Sequence, residues 1–158
     1  MIRCLVLLAG ICFALISAPA VAADEAPAGA VPVDFERVVP RESPNDFLVC
    51  PADYCREAGS YQLSPRFEVP VAALRARLDR LLAPAPRVTV VHDTPTHVVV
   101  EQKSAIFRFV DVIDIRLIEV DPATSTLAIY SRSNTGYYDF GVNEGRVKDW
   151  LDALQAAR

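Results

Sequence analysis

Residues 126–154 read TLAIYSRSNTGYYDFGVNEGRVKDWLDAL, and this stretch decides the fold of the C-terminal half of the chain. Its first part, Leu127–Ser133, has the character of a half-buried strand. A polar loop that contains glycine follows. The last part predicts an amphipathic helix with the buried stripe Val147, Trp150, Leu151 and Leu154. A strand that leads through a loop into such a helix indicates a helix packed back onto a sheet.

Asn143 is predicted to be the N-cap of this helix, because asparagine satisfies the first free amides of a helix well. Val142 and Val147 stand at the two positions of a hydrophobic staple around it. Glu144 in the first turn complements the positive end of the helix dipole.

The upstream sequence supplies the rest of one domain. A short strand is predicted at residues 67–69, and a helix is predicted from Pro70 to the Ala-Pro run at 83–86. Four strands are then predicted at residues 88–92, 97–103, 106–120 and 127–133. Short connections favour antiparallel pairing. The predicted fold is a two-layer α+β sandwich of about five antiparallel strands with both helices on one face, in the order β-α-β-β-β-β-α.

The N-terminus has the features of a secretory signal peptide. Arg3 gives it a positive start, residues 5–16 form an apolar run, and residues 17–23 read SAPAVAA. Small residues at this place predict cleavage after Ala22 or Ala23. The apolar run is shorter than the roughly 20 residues that a membrane-spanning helix needs. We therefore expect residues 1–23 to be removed from a periplasmic or secreted protein with no transmembrane helix.

The mature chain is expected to be acidic. Without residues 1–23 it has 135 residues, of which 15 are basic and 20 acidic, and a net charge of −5. This balance, with no basic cluster, argues against binding to nucleic acid or to an anionic membrane surface.

Residues 24–46 are predicted to be a flexible lead, because they are rich in Ala and Pro and have no period. Phe35 and the Val38-Val39 pair are the candidates to dock on the domain. Residues 47–158 are expected to form a single α+β domain, in which residues 47–61 are a loop.

Cys50 and Cys55 are the cysteines that remain after cleavage, and an even pair in an oxidising compartment predicts a disulfide. A redox pair is the functional alternative, although redox motifs usually have two intervening residues rather than the four found here. Free thiols are the third possibility.

Asp111 is the first candidate site residue. On the predicted strand 106–120 it falls in the more apolar row, where an unpaired charge is very costly. A structural ion pair with Arg132 or Arg108 would compensate it. The alternatives are a functional acid in a pocket and a β-bulge that turns Asp111 outward.

The loop from Ser131 to Asn143 holds the other candidates. Arg132, Tyr137 and Asp139 are predicted binding residues of a small polar site near a helix N-terminus, which favours an anion. The simpler interpretation is a connection that satisfies its own backbone, with Asp139 bonded to the amides of the turn.

Several segments resemble successive blocks of the domain-of-unknown-function 1499 family. These are FLVCPADYC at 47–55, PRVTVV at 86–91, FRFVDVIDIR at 107–116 and the run from Ser125 to Leu154. The block from Asp139 to Val147 is the most specific, and the resemblance covers about residues 45–154. It implies an exported or membrane-attached bacterial protein and offers no catalytic residues.

The usual catalytic patterns are missing from the sequence. His92 and His97 flank a turn and form no recognisable zinc spacing with the cysteines, and there is no GxSxG motif and no glycine-rich phosphate loop. We therefore expect no cofactor and no metal, and we expect no intrinsic catalysis. The leading hypothesis is a non-enzymatic envelope protein that binds a partner protein or a small ligand.

Two alternatives remain open. The first is a module that binds a lipid or an apolar small molecule between sheet and helices, in a pocket lined by Phe107, Phe109, Ile113 and Trp150. The second is a hydrolase-like enzyme that uses Asp111 together with Arg132 and Tyr137 in an open cleft.

Overall fold

The computed structural model describes residues 31–41, 43–104 and 109–157. The predicted signal peptide and the first part of the predicted lead lie outside these residues, as do Phe107 and Arg108.

Within the described residues, the chain forms a mixed set of strands and helices. The strands are β1 Asp46–Cys50, β2 Gln62–Leu63, β3 Val88–Asp93, β4 His97–Lys103, β5 Val110–Asp121 and β6 Thr124–Ser133. The helices are α1 Val71–Leu82, between β2 and β3, and α2 Val142–Ala156, after β6.

The strands form one six-stranded sheet in the order β2-β1-β6-β5-β4-β3. All neighbours are antiparallel except β1 and β2, which are parallel. The β5–β6 hairpin lies at the centre, and β5 pairs without interruption from Asp111 to Glu119. The predicted α+β class and antiparallel sheet are thereby confirmed.

Both helices pack on the same face of the sheet, as the sequence predicts. Alternate residues of the central strands point to this face, which we call the helix face. The apolar core there contains Leu74, Leu78, Leu82, Val98, Val100, Ile113, Ile115, Leu117, Leu127, Ile129, Val147, Trp150, Leu151 and Leu154. These side chains come from three strands and two helices, so the larger apolar core of the domain lies on the helix face.

The N-terminal half of the predicted strand pattern is wrong. Residues 67–69 form no strand, and Phe67 only makes an isolated bridge to Ser125. The first strand, β1, instead lies almost wholly in residues 47–61, which were predicted as a loop, and it pairs with β6, while β2 directly follows that segment. A five-residue strand directly before a cysteine loop has too little alternation to reveal itself, and its pairing partner lies about 80 residues along the chain.

The opposite face of the sheet, which we call the second face, is partly covered by the N-terminal segment. Phe35 and Val38 are buried there. They pack with the second-face cluster, which contains Leu48, Cys50, Cys55, Ala128 and Tyr130. Cys50 and Cys55 form the predicted disulfide, with their Cα atoms 6.1 Å apart.

Candidate functional site

A buried ion pair joins the sheet to α2 on the helix face. Nη2 of Arg146 lies 2.5 Å from Oδ2 of Asp111, and Oγ of Ser133 donates a hydrogen bond of 2.6 Å to Oδ1. Asp111 is 5% exposed and sits in the apolar row of β5 that continues with Ile113. Both of its carboxylate oxygens are therefore engaged, and no bulge turns it outward, since it pairs with Gln102 and Ser133 in regular register.

Arg146 is the residue that the sequence analysis missed. Beyond Asp111, its Nε donates to Oε1 of Gln102 at 2.7 Å, and its Nη1 donates to Oγ of Ser131 at 2.9 Å and to Oδ1 of Asn143 at 2.8 Å. These partners come from β4, β6 and α2. A signal was present, because Arg146 lies one turn before Trp150 and so extends the buried stripe of α2 toward its N-terminus.

Asn143 is a buried connector rather than the N-cap. The N-cap is Gly141, and α2 begins at Val142. The Nδ2 of Asn143 donates to the Asn45 carbonyl at 2.8 Å, and its Oδ1 accepts a hydrogen bond of 2.6 Å from Ser131. The prediction of Asn143 as N-cap is wrong because its amide can satisfy the backbone before β1 and a hydroxyl on β6 at once.

The carboxylate of Asp139 accepts hydrogen bonds at the N-terminus of α2. Its Oδ1 accepts from the Gly141 amide at 2.9 Å, and its Oδ2 accepts from the backbone amide of Asn143 at 2.8 Å and from Nδ2 of Asn143 at 2.6 Å. A carboxylate from the chain thus stands where a helix N-terminus would hold an external anion. This arrangement favours the simpler interpretation, in which the loop satisfies its own backbone.

Arg132 lies on the second face, away from Asp111. It is paired with Val112 across β5 and β6, whereas Asp111 is paired with Ser133, so the two side chains point to opposite faces. Nη1 of Arg132 lies 2.6 Å from Oδ2 of Asp114, and its guanidinium carbon lies 5.2 Å from the centre of the Tyr130 ring. Of the two arginines predicted as the partner of Asp111, Arg132 is therefore wrong, and Arg108 lies outside the described residues.

Asp114 is the centre of a second buried polar group. It is 0% exposed, and its Oδ1 accepts a hydrogen bond of 3.0 Å from the Val33 amide. Nε2 of His97 lies 3.5 Å from the same oxygen and makes no hydrogen bond to any residue that the structure describes. A charge at this depth is costly unless it is compensated, and Arg132 and the Val33 amide supply the compensation.

Tyr130 adds another buried hydrogen bond beside this group. Its hydroxyl donates to Oδ2 of Asp46 at 2.5 Å. Burial of the phenol raises the pKa of Tyr130 well above its ordinary value, and the hydrogen bond to Asp46 and the charge of that carboxylate raise it further. The Tyr130 phenol therefore stays protonated in the folded protein well beyond the pH at which a free tyrosine ionises.

Tyr137, the predicted binding residue that is open to solvent, lies on an exposed surface that we call the aromatic loop and define as residues 137–142. Tyr137 is 72% exposed and Phe140 is 88% exposed, and Tyr138 and Val142 are also exposed. The rings of Tyr138 and Phe140 meet edge to face with their centres 5.1 Å apart. The hydrogen bonds of the Asp139 carboxylate to the amides of Gly141 and Asn143 fix the backbone that carries these side chains.

The backbone of the aromatic loop is unusual at Phe140. This residue has φ +57°, and the glycines at 136 and 141 have φ +88° and +78°. A left-handed conformation costs a residue with a Cβ atom about 1–2 kcal/mol. Phe140 bears this cost although its side chain is exposed and packs edge to face on the equally exposed Tyr138, so burial in the core does not offset it.

A groove of about 480 Å³ runs beside the buried ion pair. It is lined by Arg87, Gln102, Lys103, Ser104, Asp111, Val142, Arg146, Asp149 and Trp150. The groove is open to solvent, and both carboxylate oxygens of Asp111, which lines it, are already bonded to Arg146 and Ser133.

The four predicted binding residues do not form a single site. Asp111 and Asp139 both belong to the hydrogen-bond network around Asn143, whereas Arg132 lies on the second face and Tyr137 is in solvent. Among the described residues, no group of three or more His, Cys, Asp or Glu side chains is placed to hold a metal ion. Neither described helix is long and apolar enough to cross a membrane.

The fold and the site define a class: a two-layer α+β domain whose C-terminal helix is tied to a central β-hairpin by a buried asparagine and arginine. The sequence model of a family described as protein of unknown function, DUF1499, matches residues 39–154. The chain belongs to this family, as the sequence blocks predicted. A comparison with curated proteins gave no match.

Proposed function

We propose that this protein is an exported, non-enzymatic binding module of the bacterial envelope, and that the aromatic loop is its contact surface for a partner protein. The observation that carries the proposal is Phe140, which is exposed on a strained backbone. Strained conformations persist where function requires them, and exposed aromatic side chains are enriched at binding surfaces.

The aromatic loop has the properties of a preorganised contact. Its base is fixed by the bonds of Asp139 to Gly141 and Asn143, so little conformational entropy is lost on binding. Tyr137 and Tyr138 provide large apolar area with a polar tip, which suits a protein partner. Arg132, which the sequence places in the same predicted site as Tyr137, pairs with Asp114 on the second face and is not part of this contact surface.

The alternatives receive less support from the geometry. Ile113 and Trp150 are packed in the apolar core, while Phe109 is half exposed, so these residues do not line a shared internal space. Asp111 is closed by Arg146 and separated by the sheet from Arg132. Among the described residues, the geometry therefore offers an apolar ligand no shared pocket at these side chains, and the open groove beside Asp111 meets a carboxylate that is already bonded to Arg146 and Ser133.

The central test uses Phe140→Asn, because asparagine tolerates left-handed backbone. This variant should be as stable as the wild type, or more stable by up to about 1 kcal/mol, and should lose its partner. A photoreactive amino acid at position 140 should crosslink to an envelope protein in cells. The same amino acid at Leu63, an exposed residue of β2, is the matched control and should not give that product.

The proposal fails if Phe140→Asn and Tyr138→Ser are folded and still give every product that a photoreactive amino acid at the exposed position 137 gives in the otherwise wild-type protein. It also fails if purified wild-type protein turns over a panel of esters, glycans or peptides. Export is tested separately by N-terminal sequencing of protein recovered from the envelope, which should begin at Ala23 or Asp24.

A further inference from the structure

The N-terminal segment is bound to the second face of the sheet in the manner of a ligand. Residues 34–37 form a turn that holds itself together, since the Arg37 amide donates to the Asp34 carbonyl at 3.1 Å and the Glu36 amide donates to Oδ1 of Asp34 at 3.1 Å. The turn directs Phe35 onto the sheet. Val38 is 7% exposed, whereas its neighbour Val39 is 65% exposed.

The sheet recognises this segment by side chains. Phe35 lies against the His97 ring, with the ring centres 5.9 Å apart, and Val38 enters the second-face cluster. The buried carboxylate of Asp114 accepts the Val33 amide. Among the described residues, no backbone–backbone hydrogen bond joins residues 31–41 to the rest of the chain. The segment therefore adds no strand to the sheet and is held by two apolar anchors and the Asp114 contact. At its end, the Arg41 amide donates to Oδ2 of Asp46 at 2.9 Å, and Nη1 of Arg41 donates to the Ser133 carbonyl at 2.8 Å.

The second face and the segment that covers it, residues 33–38, also differ in their relation to the family. The second-face residues that contact this segment lie within residues 39–154, the part of the chain that matches the family, whereas Val33, Phe35 and Val38 lie before it. The apolar core on the helix face contains no residue of this N-terminal segment. The folded domain thus has a complete core without the segment that fills its second face.

We infer that the second face is a peptide-binding groove, which residues 33–38 occupy in cis. Its ligand is a turn-forming polypeptide segment with an aromatic anchor, an aliphatic anchor three positions later, and a free backbone amide two positions before the aromatic residue. The aromatic anchor fits beside His97, the aliphatic anchor fits the second-face cluster, and Asp114 accepts the amide. This groove is separate from the aromatic loop.

The test in trans uses the mature full-length chain and a fluorescent peptide VPVDFERVVPR, which copies residues 31–41. Phe35→Ser should release the cis segment and leave a cooperative thermal unfolding transition. The variant should then bind the peptide saturably, at least about tenfold more tightly than the wild type, in which the groove is already filled. Val39→Ser is the matched control on the same segment and should behave as the wild type. A peptide with serine at the position of Phe35 should not bind.

A second measurement needs no variant. In hydrogen exchange by NMR, the Val33 amide should exchange far faster than the amides of β5 and β6, because the segment opens without unfolding the domain. The proposal is overturned if the Val33 amide exchanges only as fast as the slowest core amides. It is also overturned if folded Phe35→Ser does not bind the peptide.

Discussion

Asp111 and Asp114 lie three residues apart on β5, and their carboxylates are closed by different arginines on opposite faces of the sheet. Arg146 of α2 closes Asp111 on the helix face, and Arg132 of β6 closes Asp114 on the second face. The central hairpin is therefore fixed on one side to the C-terminal helix and on the other side to the N-terminal segment, because the Val33 amide also bonds to Asp114.

The first prediction concerns the buried pair. Arg146→Ala should lower the free energy of unfolding by about 3–5 kcal/mol, because it leaves the Asp111 carboxylate buried without its cation. Asp111→Asn should cost less, since an amide can keep the hydrogen bond from Ser133. Urea denaturation measures both effects, and a double-mutant cycle isolates their coupling.

Arg80→Ala on the exposed side of α1 is the control for this experiment and should change stability by less than about 0.5 kcal/mol. If Arg146→Ala were as mild as Arg80→Ala, the carboxylate of Asp111 would not depend on Arg146.

The second prediction concerns the start of α2. Asp139→Ala should reduce stability by about 1–2 kcal/mol, because two helix amides and the side chain of Asn143 lose their acceptor. Asp139→Asn should recover part of this loss. Thermal unfolding and the exchange rate of the Asn143 amide report the change. An unaltered exchange rate in Asp139→Ala would show that the aromatic loop is held in another way.

The third prediction follows from the raised pKa of Tyr130. A phenol that stays protonated in the folded state stabilises the protein fully below the ordinary tyrosine pKa of about 10, and this contribution is lost as the pH rises toward the folded-state pKa. Absorbance at 295 nm should therefore show Tyr130, one of five tyrosines, ionising late. The wild-type titration minus that of Tyr130→Phe isolates this group.

The same variant tests the linkage. Above about pH 10, the stability of the wild type should fall more steeply than that of Tyr130→Phe, since the variant lacks the Tyr130 phenol that ionises on unfolding. A difference titration centred at the ordinary pKa would show that Tyr130 is accessible to water and not closed by Asp46.

The fourth prediction concerns the disulfide. The intact mass of protein isolated without reductant should rise by one hydrogen pair on reduction, and alkylation should require reduction. Replacement of Cys50 and Cys55 together by serine should cost about 2 kcal/mol, because the loop between them is short, and any polar mismatch in the second-face cluster adds to this. Alkylation of both thiols in fresh, unreduced protein would contradict the bond.

Much of the fold could be predicted because it depends on local periodicity. The alternation in β4, β5 and β6 and the stripes on α1 and α2 are written in neighbouring residues, and the structure places those elements within a few positions of the predictions. The Cys50–Cys55 pair was equally local. By contrast, β1 is short and acquires its strand character only from its pairing with β6.

The candidate site was less predictable for a physical reason. The alternation along β6 predicts that Ser131 and Ser133 lie on one face of the sheet and Arg132 on the other. Only the register with β5 decides that Asp111 lies beside Ser133 and not beside Arg132. Which arginine compensates a buried carboxylate depends on distances of a few ångströms between elements far apart in sequence, as for Arg146 and Asp111.

The sequence by itself determined the α+β class, the sides on which both helices bury their apolar stripes, and the disulfide, because each follows from the spacing of residues along a short stretch of chain. The tertiary structure alone decided that Arg146 closes Asp111 on the helix face and that Arg132 closes Asp114 on the second face. It also decided that residues 33–38 fill the second face. These features arise from contacts between distant segments, whose energies no local pattern records.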